Sequence, residues 1–205
     1  MGGGADSRIP SILNEIFASE GTDIVVRTYD FNPDIASGQI ESWIAELSPS
    51  IIIGESLGSL HALECSSAHD LPCILISPAL NAPLYFGFLS WLTLVPGVTS
   101  ILDRIYRPKS GDRQEIHFTH RLMCLYPPYR KRAMRAAMES RKRDTAPLLL
   151  AFFGLKDHYR RSGIVCIRTW KRYFGADTYK TYNGTHFMEE DSVRTVVADA
   201  IRSIL

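Results

Sequence analysis

Apolar residues recur along this chain with two alternating periods. Ile9, Ile12, Leu13, Ile16 and Phe17 fall at i, i+3, i+4, i+7 and i+8, one face of an amphipathic helix that Gly21 closes. Ile24-Val25-Val26-Arg27-Thr28-Tyr29 then reads as a strand. Ile40, Trp43, Ile44 and Leu47 mark a second helix, and Ile51–Ile53 a second strand. A helix over Leu57–Cys65 leads to a strand over Cys73–Ile76, ended by Ser77-Pro78. Two more strands are predicted at 148–153 and 178–181, followed by helices around 162–173 and 189–204. The last carries Val193, Val196, Val197 and Ile201 on one face. Strands that alternate with helices predict an α/β fold: a parallel sheet with helices on both faces.

Residues 79–145 interrupt the rhythm. From Ala82 to Leu102 there is no charged residue, and Leu84, Phe86, Phe88, Trp91 and Leu94 crowd its first part. The stretch has the length of a membrane span, but Gly87 and Pro96-Gly97 break it and it lies between two core strands. The expectation is one domain, 1–205, with 79–145 inserted as a cap or lid over the sheet edge.

Composition narrows the class. The chain has 205 residues, 45% of them apolar, enough for one α/β core. Formal net charge is +1, but residues 103–144 hold twelve of the 23 basic residues against five acidic ones, a local balance of +7. That segment reads as the solvated face of cap helices, or as a surface for an anionic ligand or an acidic membrane. No nucleic-acid-binding motif accompanies it, so nucleic acid is not an expected partner. The four cysteines lack C-x-x-C spacing and read as reduced thiols. Met1-Gly2-Gly3-Gly4 has no signal-peptide character and Asp6 disfavours myristoylation, so the expected location is the cytoplasm.

Candidate chemistry starts at Gly54-Glu55-Ser56-Leu57-Gly58, a G-x-S-x-G pentapeptide between a predicted strand and a predicted helix. There a serine is lifted onto a sharp elbow with its Oγ exposed above the sheet. A serine hydroxyl needs an adjacent base, itself oriented by a third group. Asp157 lies just past the strand 148–153, and His186 on the loop after the last strand. Both then fall at the C-terminal edge of the sheet, where sites form in open α/β folds. Asp144 and Asp177 precede strands and fall at the wrong edge. His61 and His69 are too close to the elbow, His158 adjoins Asp157, and His117 and His120 form an H-x-x-H pair without a carboxylate motif. Ser56 remains readable as an ordinary turn serine and His186 as a packed loop histidine.

With Gly54-x-Ser56-x-Gly58, Gly154-x-x-Asp157 and Asn183-Gly184-x-His186 in that order, the chain resembles the α/β-hydrolase superfamily over residues 1–78 and 146–205. The resemblance implies Ser56 as nucleophile, His186 as general base and acid, and Asp157 as the residue that holds the imidazole tautomer. It implies an oxyanion hole from the Leu57 N–H and the glycine loop, Gly3 and Gly4. The activity implied is cleavage of a carboxylic ester or thioester. The apolar stretch 82–102 is expected to form a lid whose aromatics line a pocket for a hydrophobic acyl part, the basic segment admits peripheral membrane contact through the cap, and no motif calls for a cofactor or metal. One departure stands out. The superfamily's strand before the glycine loop has no counterpart ahead of Met1, so the first central strand is expected to be missing or truncated. That departure, with the basic cap, supports a rival reading: a catalytically inactive relative that binds an anionic ligand or partner.

Overall fold

The computed structural model describes residues 7–106 and 116–205. Four parallel strands form one sheet in the order β1 (Ile52–Glu55), β2 (Cys73–Ile76), β3 (Leu149–Gly154) and β4 (Tyr179–Tyr182). Register runs Ile52 to Cys73, Cys73 to Leu149 and Ala151 to Tyr179. Successive side chains of a strand point to opposite faces, so one strand feeds two cores. Cys73 and Leu75 of β2 pack with α3 (Ser59–His69), α6 (His120–Ser140) and α8 (Ile167–Phe174) on one face. Ile74 and Ile76 pack with α1 (Arg8–Phe17) and the C-terminal helical segment on the other. All four side chains are fully buried, as expected for a parallel sheet covered on both sides. Each contributes on the order of 2 kcal/mol through the water it sheds.

The α1 amphipathic face predicted from its spacing buries Ile9, Ile12, Leu13 and Phe17, and Gly21 takes φ +71° past its end. The C-terminal segment is continuous but not uniform: α9 (Glu190–Ser192), a π-turn (Val193–Val197) and α10 (Ala198–Arg202). Within it Val193, Val197 and Ile201 are buried.

Three elements differ from the sequence reading. Residues 24–29 belong to no strand among the described residues, and none lies beyond β1. An alternating apolar run becomes a strand only where a neighbour offers ladder partners. Here Ile24 packs against the α1-side core while Val25 faces solvent. The second helix, α2 (Pro33–Leu47), begins well before Ile40: Asn32 caps it, its side chain accepting from the Asp34 N–H at 3.0 Å, and Pro33 fills the first turn. The predicted helix at 162–173 is two pieces, α7 (Tyr159–Ser162) and α8, parted by Gly163 at φ +76°.

The 79–145 segment carries α4 (Ala82–Leu92), α5 (Val98–Ile105) and α6. The break falls at Thr93–Gly97, while Gly87 stays inside α4. A Cβ at Gly87 would meet the Pro127 Cγ at 3.0 Å, so close helix approach accounts for that glycine. No helix among the described residues is long and apolar enough to cross a membrane. The halves of α6 differ in role. Met123 and Tyr126 join Phe86 and Phe118 in a separate apolar cluster, whereas Tyr129, Ala133, Met134 and Ala137 belong to the main core beside α3.

Candidate active site

The elbow is built by close packing behind Ser56. A Cβ on Gly54 would lie 2.7 Å from the Ala62 Cβ and 3.0 Å from both the Leu75 Cδ2 and the Ser59 Cα. Only glycine lets β1 run this near α3. The chain then turns through a single 3₁₀ turn, Ser56–Gly58, into α3. Ser56 takes φ +52°, a left-handed conformation costly for a residue with a side chain, on the order of 1 kcal/mol. The Ala79 N–H donates to the Ser56 carbonyl at 3.0 Å and ties the turn to the chain beyond β2.

Three sequence-predicted side chains meet at this point. His186 Nε2 lies 2.9 Å from Ser56 Oγ, and His186 Nδ1 lies 2.8 Å from Asp157 Oδ2. Asp157 and His186 are buried, at 4% and 2% exposure, so bulk water does not compete for the pair. A carboxylate only accepts, so Nδ1 carries the proton and donates to Asp157. Nε2 is left as the acceptor for the Ser56 hydroxyl. The other carboxylate oxygen accepts from the Tyr159 N–H at 2.8 Å, which fixes the Asp157 rotamer. The rings of Tyr159 and Phe187 stand edge-on to His186, at centroid distances of 4.7 and 5.3 Å.

The sheet order poses a problem that the chain has to solve. Ser56 follows β1 and His186 follows β4, three strand spacings or roughly 14 Å apart. The loop after β4 must cross back over β3 and β2. At β3 it passes over Gly154, whose Cβ, if it had one, would lie 2.5 Å from the Thr185 carbonyl oxygen. The Lys156 N–H donates to the Gly184 carbonyl at 2.9 Å. At β2, Tyr182 Oη stands 3.1 Å from Ser77 Oγ and donates to the Thr185 carbonyl at 2.6 Å. Burial raises the Tyr182 hydroxyl to about 12, so it keeps its proton for Thr185. Ser77 is then the donor in its contact with Tyr182. The Glu189 carboxylate accepts from the Thr185 N–H at 3.0 Å, and the Arg8 guanidinium donates to the Phe187 and Met188 carbonyls. Tyr182, Ser77, Glu189 and Arg8 hold the histidine loop. Sequence reasoning missed all four, because a polar group that ends a strand, opens a helix or lies in a connection carries no periodic signal.

Glu55, the second residue of the pentapeptide, was not singled out in the sequence either. Burial raises its carboxyl above the usual range, and the nearby His186 opposes that. Of the expected oxyanion donors, Leu57 lies in the 3₁₀ turn directly after Ser56, its side chain against both the main core and the Phe86–Phe118–Tyr126 cluster. Gly3 and Gly4 fall outside the described residues. Four of the five rival histidines sit elsewhere: His61 against Tyr129, His69 against Glu41, His117 against Asp103, and His120 on the Ser90 carbonyl. His158 stays beside the site, its ring 6.1 Å from that of His186 and 4.0 Å from that of Tyr159.

No family model matches the chain, and no curated protein matches it. Among solved structures, one described as a putative lipase from Acinetobacter baumannii aligns with a TM-score of 0.45 and 14% identity. The alignment covers 86% of this chain and 69% of that one. That likeness is loose, and the functional reading rests on the site's own geometry.

Proposed function

We propose that this protein is a serine hydrolase of the α/β-hydrolase kind, which cleaves a carboxylic ester or thioester through an acyl-Ser56 intermediate. The observation that supports it is the unbroken chain from Ser56 Oγ through His186 to Asp157, with 2.9 and 2.8 Å contacts between groups that follow three different strands. In this reading Ser56 Oγ attacks the substrate carbonyl carbon as its proton passes to His186 Nε2. Asp157 stays ionised and stabilises the imidazolium. The Leu57 N–H faces the developing oxyanion. His186 returns the proton to the leaving oxygen or sulfur, and water, deprotonated by the same nitrogen, then frees the acyl group.

The apolar cluster of Phe86, Phe118, Met123 and Tyr126 touches Leu57, which supports a hydrophobic acyl part next to the nucleophile. Residues 79–145 would serve as the cap, with the second half of α6 anchoring it to the core. Chain-length profiling with p-nitrophenyl esters and the matching thioesters tests this reading. Turnover that rises beyond acetate and vanishes in His186→Ala is expected; turnover unchanged in His186→Ala would remove the triad from the mechanism.

A further inference from the structure

The outward face of α4 and α5 is apolar where a solvated helix would be polar. Of the seventeen large apolar side chains exposed among the described residues, ten lie between residues 84 and 106. Phe86 turns inward, but Phe88 and Trp91 stand 70% and 67% exposed. Leu84, Phe88 and Trp91 follow one face of α4, and Leu94 continues it through the turn. On α5, Ile101 and Ile105, one turn apart, are exposed as well. An outward apolar run of this size marks a contact surface.

Its surroundings select the partner. The single acidic residue between 82 and 106 is Asp103, which is occupied by the Phe118 N–H at 2.9 Å and by His117 at 3.1 Å. Three exposed arginines border the face. Arg104 lies between Ile101 and Ile105. Arg121 follows His120, whose ring meets Trp91 at 5.4 Å. Arg161 precedes Ser162, whose carbonyl accepts the Tyr85 hydroxyl. None of the three has a carboxylate partner among the described residues. Among the described residues, then, the face combines large aliphatic side chains and an exposed tryptophan with arginines that have no carboxylate partner, and its one carboxylate, Asp103, is already bonded; this matches an anionic lipid surface.

We propose that the α4–α5 face docks on anionic lipid membranes. Lipid contact is a property of this face and is independent of Ser56, so it stands or falls apart from the hydrolase reading. The test is flotation of the full chain carrying Ser56→Ala with phosphatidylcholine vesicles, with and without phosphatidylglycerol. Stronger binding to the anionic vesicles is expected, with Trp91 emission moving to shorter wavelength. Adding Phe88→Ser and Trp91→Ser should weaken partitioning about a hundredfold, and Arg104→Glu with Arg161→Glu should erase the preference for anionic lipid. These positions are exposed, so folding is not at stake; an unchanged unfolding midpoint checks that. Absent partitioning, or partitioning indifferent to these substitutions, overturns the proposal. So does an oligomer in lipid-free solution that Phe88→Ser with Trp91→Ser converts to monomer, because a second copy would then cover the face.

Discussion

Gly154 and Thr185 approach so closely that a β-carbon on the glycine would sit 2.5 Å from the Thr185 carbonyl oxygen. The obstacle is backbone on both sides, so no rotamer change relieves it. Gly154→Ala should therefore displace the loop that delivers His186. A shift near 1 Å at a reacting group costs about a hundredfold in rate. We expect kcat to fall by about that factor with KM little changed. Gly38→Ala, where a Cβ meets nothing within 4 Å, should leave both unaltered. Steady-state kinetics of the two variants make the comparison.

Tyr182 holds the same loop from below. Tyr182→Phe removes the donor to the Thr185 carbonyl and the acceptor for Ser77. Leaving buried partners unsatisfied costs about 1–3 kcal/mol, which urea unfolding should register. If the hydroxyl positions the histidine, kcat falls more than the stability loss at assay temperature explains, with substrate affinity retained. A stability loss with unchanged kcat would reduce Tyr182 to a packing role.

The parts legible in the sequence and the parts that were not differ in how local their causes are. β2 shows as Cys73-Ile74-Leu75-Ile76 because a strand buried on both faces needs four apolar residues in a row. Ser56, Asp157 and His186 were legible because each follows a strand at the same sheet edge. The strand read at 24–29 has the right local pattern, but pairing depends on a neighbour, which local pattern does not report. The early start of α2 is encoded in Asn32-Pro33-Asp34, a cap followed by proline, a signal that the apolar period from Ile40 onward does not carry. The positioning set of Tyr182, Ser77, Glu189 and Arg8 draws on both ends of the chain and on the chain beyond β2, so only the folded structure assembles it.

His61 is a buried histidine outside the site. Tyr129 Oη lies 2.6 Å from its Nδ1, the Tyr29 ring stands at 4.9 Å, and burial lowers its pKa from 6.5 to about 4. Glu64 works against that shift, and Arg132 works with it. Burial also raises the Tyr129 hydroxyl, so tyrosine donates and neutral histidine accepts. A folded pKa below the unfolded one means the unfolded chain binds the proton first. Stability from this site is therefore complete above pH 6.5 and is lost as pH falls toward about 4. The shift corresponds to about 3 kcal/mol. Urea unfolding across that range should show the decline, and His61→Gln should flatten it.

Gly54→Ala tests the elbow itself. The added methyl would meet Ala62, Leu75 and the Ser59 backbone at 3.0 Å or less. Overpacking of this kind costs about 1–3 kcal/mol. Thermal unfolding should shift downward, and Ser56 should lose reactivity even in protein that remains folded.

The most direct test of the account is intact-mass spectrometry after treatment with a fluorophosphonate, which modifies only a serine activated by a neighbouring base. Wild type should gain one phosphonyl group, mapped by peptide analysis to Ser56. Ser56→Ala should gain none, and His186→Ala should react far more slowly. A wild-type protein that stays unmodified while folded, or one in which Ser56→Ala labels as fully as wild type, would contradict a nucleophilic Ser56.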